Sequence, residues 1–489
     1  MKHLHVFVAL AILANMVLVG WVLFLRDPDA GSVSVTEALE PLVETSTFEA
    51  SRYDLADRAT DLNVIVISLD ALRYDFTGIG GNPDGLTRNL DQFAEESVVF
   101  HDAVSAAPWT LPSHMSMWTA RWPSIHRVTN KLELLSQDQM VETSLSPGIE
   151  TFPDHLIRQG WTAVGFSGGA GVQGKYGFGR DFSVYLDDRY FGGLDHTIPA
   201  ALTWLADNRD ERFFMFLHGY DTHGQFPLAE GALSTLGSTY EGDLHGDIEE
   251  NATLREECLS AIRDPGDSPD LTEAIDNADA EFLKEVYARK VRDADKRLGD
   301  FLTQLKAMGL LDRSIIAIVS DHGDEFMEHG GVDHGATLYE EQLHVVMMMR
   351  FPGYTGRHDI NDPVRTIDLF PTLFDSMGLT GPSNVNGQSL LPLLRGQELD
   401  LPIFAETDYR LFTHLRMIKQ RPYKLILDLQ DGKRELYNIE LDPMEQNDIS
   451  SAEPRITYEM EQALRTWMDT SRTNPEDYLG VQQTPISIF

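Results

Sequence analysis

Two short apolar runs rich in β-branched residues, Asn63–Leu69 (NVIVISL) and 315–319 (IIAIV), stand out along this chain. Continuous rather than alternating hydrophobicity over such a length predicts strands covered on both faces, as in a parallel sheet. Each run stops on charged chemistry: Asp70 follows the first, and Ser320-Asp321-His322-Gly323 follows the second. Further strands are predicted at 162–166 and 213–217, behind helices around 152–159 and 198–208. A long helical stretch over 278–308 leads into 315–319, and 345–350 is the next strand. Strand–helix alternation of this kind predicts an α/β fold, a parallel sheet with helices on both faces. The acidic, glycine-containing stretch 226–269 interrupts the pattern and reads as an insertion over the carboxyl edge of the sheet, a lid.

Near residue 380 the texture changes. Residues 378–387 read as a loop and 388–394 as a short turn or helix. Hairpin-like strands follow at 413–419, 423–428 and 435–439, with Gln430-Asp431-Gly432-Lys433 as a tight turn. An amphipathic helix over 455–468 completes a small α+β unit, and the tail from Thr473 is expected to be loose. At the other end, residues 5–25 include about twenty positions without a formal charge, enough to cross a bilayer. No small-x-small cleavage site follows, so an uncleaved anchor is expected, with the acidic remainder translocated. The implied organisation is a transmembrane helix in 1–26, a polar tether over 27–61, a catalytic domain over 62–385 and a C-terminal subdomain over 386–489.

Charge narrows the choice of partner. The 489 residues carry a net charge of −38, and only ten of the 39 basic residues are lysines. An acidic, lysine-poor surface suits salt and lacks the basic patches that nucleic acid requires. The lone cysteine, Cys258, excludes an internal disulfide and any multi-thiolate metal site.

The chemistry sits at the strand ends. Open α/β sheets build sites where strands end, and Asp70, Asp321 and His322 offer O/N donors to a divalent cation there. Between them comes Trp109-Thr110-Leu111-Pro112-Ser113-His114. Pro112 is tolerated in a first helical turn, which puts Thr110 at a helix amino terminus, a place that favours anions. A threonine hydroxyl is a poor nucleophile unless its pKa is lowered, and a bound cation does that. The four residues therefore read as three ligands and one metal-activated nucleophile.

The ordered set NVIVISLDALRYDF, PWTLPSHMSMWTARWPSIH, FLHGYDTH, SDHGDEFMEHG and VRTIDLFPTLFDSMGL resembles the sulfatase family of the alkaline phosphatase superfamily. The closing RPYKLILDLQDGKRELYNIELDPMEQNDIS resembles that family's carboxyl-terminal subdomain. The resemblance implies an alkaline-phosphatase-like sheet, parallel or mixed, flanked by helices. It also implies a metal-dependent hydrolase of sulfate or phosphate esters, which the expected anchor would place outside the cytoplasm, periplasmic or extracellular. The substrate would be a sulfated or phosphorylated glycan, lipid or small molecule.

Two departures from the family pattern matter. Sulfatases carry Cys or Ser in a C/S-x-P-x-R motif that is converted to formylglycine; here Thr110 and His114 occupy those slots. No formylglycine is expected. Where many sulfatases have a second ligating Asp, this chain has Ala71. A site of Asp70, Thr110, Asp321 and His322 is similar to those of single-metal phosphotransferases and phosphodiesterases, and favours manganese or zinc, with calcium possible.

The resemblance further implies His223 on the substrate oxygens or the leaving group, and His334 on the non-bridging oxygens with His329 competing for that role. It implies His114 and Asn130 on the same oxyanion, and Arg73 and Asp75 bracing the strand end. His218 and Asp221 are candidates for a second metal. Two alternatives stand beside the hydrolase: a membrane-anchored phosphoglycerol- or phosphoethanolamine-type phosphotransferase, and a non-catalytic binder of anionic glycans.

Overall fold

In the computed structural model the described residues are 53, 55–136, 139–224, 240–263 and 275–470. The apolar segment 5–25, most of the tether and the tail from Thr473 lie outside them. Among the described residues no helix is long and apolar enough to cross a membrane.

The two founding strands form as their patterns predict, Asn63–Leu69 and Ser314–Val319, and pair in parallel with Ser68 opposite Val319. Successive side chains on a strand point to opposite faces, so each strand feeds two cores. Val64, Val66, Ile315, Ala317 and Val319 pack into one; Ile65, Ile67, Leu69, Ile316 and Ile318 pack into the other. Around this pair an eight-stranded sheet runs in the order His358–Arg365, Val98–Val104, His344–Arg350, Ser314–Val319, Asn63–Leu69, Phe213–Gly219, Thr162–Phe166, Val184–Leu186. His344–Arg350 is antiparallel to both its neighbours and every other pairing is parallel. The sheet is therefore mixed, within the parallel or mixed sheet that the resemblance implied, with a single reversed strand.

Three strands of this sheet were not predicted. His358–Arg365 (HDINDPVR) is a polar edge strand with a register shift before Pro363, which suits an edge where a missing N–H is harmless. The predicted helices appear as Phe152–Arg158, Leu194–Asn208 and Asn277–Ala307. The last begins at a capping box in which Asp276 accepts from the Asp279 N–H (3.0 Å) and Asp279 from the Asp276 N–H (3.0 Å). The stretch read as an irregular insertion contains a 16-residue helix, Ile248–Arg263, seated by buried Leu254, Cys258 and Leu259.

Beyond residue 400 the chain forms a four-stranded antiparallel sheet, Ile403–Thr407, Leu415–Gln420, Tyr423–Asp428 and Arg434–Asn438, with the first strand unforeseen. Helix Pro454–Thr470 covers one face through Met460, Leu464 and Trp467. The other face packs Ala405, Met417 and Ile426 against Val104, Leu338 and Leu343.

Candidate active site

The register of the parallel strands brings the candidate residues to one edge. Asp70 leaves one strand as Asp321 and His322 leave its neighbour, while His218 lies opposite Ser68 on the other side. Thr110 opens the ten-residue helix Thr110–Thr119, entered from an extended Trp109 and buried throughout. Its Oγ1 lies 3.3 Å from His322 Nε2. Behind it, a Cβ built on Gly171 would fall 2.8 Å from both Thr110 Cβ and Cγ2, so only glycine leaves room for the threonine methyl.

The protonation pattern of His322 follows from its partners. Its Nδ1 is 2.9 Å from the Gly323 carbonyl, which can only accept, so Nδ1 carries the proton. Nε2 is left with its lone pair facing Thr110, 3.4 Å from Asp321 Oδ2 and 3.8 Å from Asp70 Oδ1. Burial, with the neighbouring charge of His334 adding, brings the His322 imidazole down to about 4, so it is neutral. Asp70 Oδ1 and Asp321 Oδ2 are buried without a hydrogen-bond partner. Burial and then the adjacent Asp321 carboxylate push the Asp70 carboxyl well above its usual range. Burial would do the same to Asp321, but the imidazoles of His322 and His114 hold it well below. Asp70, Asp321 and His322 present ligand atoms within 4.8 Å of one another. Two buried carboxylates, each with an orphan oxygen, and one imidazole lone pair fit a divalent cation.

The supporting residues divide. His334 lines the cavity above Thr110, its ring 4.1 Å from that of His322 and 4.8 Å from that of His223. Burial disfavours its charge, yet Asp333 (2.9 Å) and Asp324 (2.5 Å), both at Nδ1, raise it well above the usual range, so His334 is a cation. His223 also lines the cavity, 4.0 Å from Asp70 Oδ1. Burial and the His334 charge hold it well below its usual value.

His114 is completely buried and does not line the cavity. Its Nδ1 donates to the Thr110 carbonyl (2.9 Å) and lies 3.3 Å from Asp321 Oδ2, and Ser68 Oγ meets Nε2 at 2.8 Å. It therefore braces Asp321 from beneath. Asn130 reaches the cavity wall, with its amide bonded to Asp408 O (2.8 Å) and the Arg410 N–H (2.9 Å). His329 stands apart from the cavity, stacked on Tyr339 at 3.6 Å and hydrogen-bonded to Glu341 and the Glu445 carbonyl. Arg73 grips Asp75, Glu328 and the Asp324 carbonyl. The Ala71 position, at φ 56°, offers its N–H to Asp321 Oδ1 (3.1 Å) in place of a carboxylate.

A second metal is not assembled by His218 and Asp221. The Gly168 N–H points at His218 Nδ1 (3.3 Å), so the proton is on Nε2, donated to Asp70 Oδ2 (3.2 Å). Asp221 turns to the Leu194 N–H (2.6 Å) and to Arg297.

Several residues at the site escaped the sequence reading. Tyr220 lines the cavity beside Thr110, accepting from the Gly171 N–H (2.8 Å) and donating to the Gly169 carbonyl (3.1 Å). Lys290 anchors the His223 loop by donating to the carbonyls of His223 and Gly224, both 3.1 Å, and burial brings it down to about 8. Asp324 and Asp333 were visible beside His322 and His334 in SDHGDEF and VDHG, where acidic residues flank imidazoles. The cavity itself holds about 420 Å³ and is walled by Trp109, Tyr190, Phe191 and Tyr409.

Comparison with known proteins identifies the family and the fold. The sulfatase family profile matches residues 62–379, and that described as "N-sulphoglucosamine sulphohydrolase, C-terminal" matches residues 327–473. Arylsulfatase K of Mus musculus is 28% identical over 453 residues, covering 83% of this chain and 79% of the relative. The Delta 4,5-hexuronate-2-O-sulfatase of Bacteroides thetaiotaomicron is 23% identical over 419 residues, covering 79% of this chain and 84% of the relative. In fold, the phosphonate monoester hydrolase of Agrobacterium radiobacter superposes with a TM-score of 0.68 at 18% identity, covering 84% of this chain and 96% of that one.

Proposed function

The chain belongs to the sulfatase family of sulfuric ester hydrolases, and on that premise we propose that it cleaves sulfate or phosphate esters with Thr110 as nucleophile. One observation carries the reading: Thr110 Oγ1 sits at a helix amino terminus, 3.3 Å from the unprotonated His322 Nε2 and beside two buried carboxylates with orphan oxygens. Asp70, Asp321, His322 and Thr110 would hold one divalent cation, manganese or zinc in preference to calcium, because the set mixes carboxylates with an imidazole. Such a cation supplies Lewis acidity that lowers the pKa of a bound hydroxyl.

Thr110 Oγ1, its proton passed to solvent, attacks sulfur or phosphorus in line, forming the Thr110–ester bond as the bond to the leaving oxygen breaks. His334, cationic between Asp324 and Asp333, hydrogen-bonds the non-bridging oxygens, where charge is held in the transition state. His114 acts from below by fixing Asp321, and Asn130 by fixing the Asp408–Arg410 loop. His223 serves the leaving oxygen. An anionic ester beside it favours the imidazolium, which then gives its proton to the departing alkoxide. Water then attacks the sulfo- or phosphothreonine in a second in-line displacement, giving a proton to the now neutral His223 as the bond to Thr110 Oγ1 breaks and sulfate or phosphate leaves. Residues 5–25 as a membrane anchor, with the catalytic domain outside the cytoplasm, complete the proposal.

A direct test compares aryl sulfate, aryl phosphodiester and phosphonate monoester with calcium, manganese and zinc, using Thr110→Ala as control. Thr110-dependent turnover with manganese or zinc is expected, with an unmodified threonine by mass spectrometry. Near-normal turnover by Thr110→Ala would overturn the nucleophile. The likeness in fold to a phosphonate monoester hydrolase keeps phosphoester cleavage as a specific second outcome.

A further inference from the structure

The ester-hydrolase reading leaves three cations of the cavity without a role. Lys131, Arg255 and Arg410 line it, and among the described residues no carboxylate does. In a chain with 77 acidic and 39 basic residues, this reverses the general composition. The reacting ester already has His334 and the metal ligands at the floor, so cations on the wall imply another partner. Lys131 is occupied by the Tyr190 hydroxyl at 3.0 Å. The two arginines are not so simply explained.

Arg255 projects from helix Ile248–Arg263. Its Nε is buried with no hydrogen-bond partner, and its Nη2 lies 3.6 Å from Glu256 Oε1, beyond hydrogen-bond range. Leaving a buried guanidinium donor unpaired is unfavourable, so the site is incomplete as it stands. Arg410 approaches from the C-terminal region in a left-handed conformation, φ 50°, with its N–H held by Asn130 Oδ1 (2.9 Å). A non-glycine residue is kept in that conformation only when its surroundings impose it. Arg410 grips Glu256 through Nη1–Oε2 at 3.0 Å and Nη2–Oε1 at 2.9 Å. The Glu256 side chain is 56% exposed. Two pocket guanidiniums thus converge on one exposed carboxylate, the fork geometry that selects carboxylate or sulfate. Trp109 and Tyr409, edge to face at 5.2 Å, supply an apolar corner against which a ring can pack.

We propose that the substrate carries a second anionic group, a carboxylate or a further sulfate, near the reacting ester, and that Arg255 and Arg410 bind it in exchange for Glu256. The proposal rests on the ester-hydrolase reading and narrows its substrates to doubly anionic ones, with a ring to meet the aromatic corner. Glu256 is then an internal competitor, and Arg255 and Arg410 are specificity residues.

The test is calorimetric binding to the full chain carrying Thr110→Ala, with three ligands: a monosulfated hexose, the corresponding monosulfated hexuronate, and a disulfated hexose. The second anion is expected to tighten binding by about tenfold or more, as charge-assisted hydrogen bonds do. That gain should disappear with Arg255→Gln or Arg410→Gln. Glu256→Gln should strengthen binding of both doubly anionic ligands, the sign opposite to that of a merely structural ion pair. If Arg255→Gln fails to fold, Glu256→Gln still decides. Equal affinity for one and two anions, or weaker binding in Glu256→Gln, overturns the proposal. Sulfate-ester turnover by the unsubstituted chain separates the two readings: turnover without any gain from a second anion sinks only the subsite. Absence of both turnover and binding sinks the hydrolase and the subsite with it.

Discussion

Thr110 is the residue on which the chemistry turns, and its neighbours say what its loss should do. The hydroxyl is the nucleophile of the proposal, whereas Asp70 is held by His218, Asp321 by Ala71 and His114, and His322 by Gly323. Thr110→Ala is therefore expected to lower kcat by about 10³-fold or more while the protein still retains its metal, as removal of a covalent nucleophile does. Steady-state kinetics and metal content on the same preparation check both halves. Thr110→Ser should keep substantial activity, because it loses only the methyl that packs on Gly171. Much of this centre was legible in the sequence, since Asp70, Asp321 and His322 follow at once on strands whose patterns are unambiguous. His114 was not placed correctly, because its spacing from Thr110 is one helical turn and only the surrounding helix decides that its ring turns inward. Arg255 gave no signal at all, being one arginine in an acidic stretch whose helix becomes meaningful only once it docks.

Among the elements, legibility followed burial. Thr162–Phe166 was read to the residue as a short apolar run, and Tyr423–Asp428 because its apolar Leu425-Ile426-Leu427 sits between Pro422 and a tight turn. His358–Arg365 was missed because an edge strand needs no apolar pattern, and Val98–Val104 because His101 and Asp102 interrupt its run. Helix Ile248–Arg263 carries a built-in reporter in Cys258, which is buried and whose thiol burial pushes up to about 11. With the helix docked, a disulfide reagent at pH 8 should modify Cys258 far more slowly than in urea, since the thiolate is the reactive form. Equal rates in the two states would mean that the helix does not stay docked. Another element lock is His329, whose two nitrogens face the Glu341 carboxylate and the Glu445 carbonyl. Burial opposes its charge, but these acceptors raise it to about 9. A folded pKa above the unfolded value near 6.5 stabilises fully below that pH, and the contribution is lost as pH rises through about 9. The Tm advantage of the unsubstituted chain over His329→Gln should accordingly be largest near pH 6 and shrink by pH 10. A constant difference across that range would mean that the ring's packing on Tyr339, rather than its charge, provides the link.

For the molecule as a whole, two kinds of electrostatics coexist and should answer differently to salt. The net charge of −38 comes from acidic groups spread through the chain, and repulsion among exposed charges disfavours the compact state. Salt screens such charges, because the Debye length falls from about 10 Å at 0.1 M to about 3 Å at 1 M. Raising sodium chloride from 0.1 to 2 M is thus expected to raise the Tm of the unsubstituted chain. The seam between the main sheet and the C-terminal sheet is of the other kind. Lys419 Nζ lies 2.8 Å from both Asp102 and Glu340, and Lys424 Nζ lies 3.0 Å from Glu340 and 2.8 Å from Glu445. Both lysine side chains are buried, Lys419 at 3% exposure and Lys424 at none, so mobile ions cannot stand in for them. Lys419→Met would leave Asp102 and Glu340 buried with a partner removed, which costs about 3–5 kcal/mol in comparable cases. The two effects combine into one experiment: melting curves of the unsubstituted chain and Lys419→Met at low and high salt. The Tm of both should rise with salt, while the gap between them stays nearly constant. If high salt closed the gap, the seam would be open to solvent, and the C-terminal sheet would be held by its apolar contacts alone.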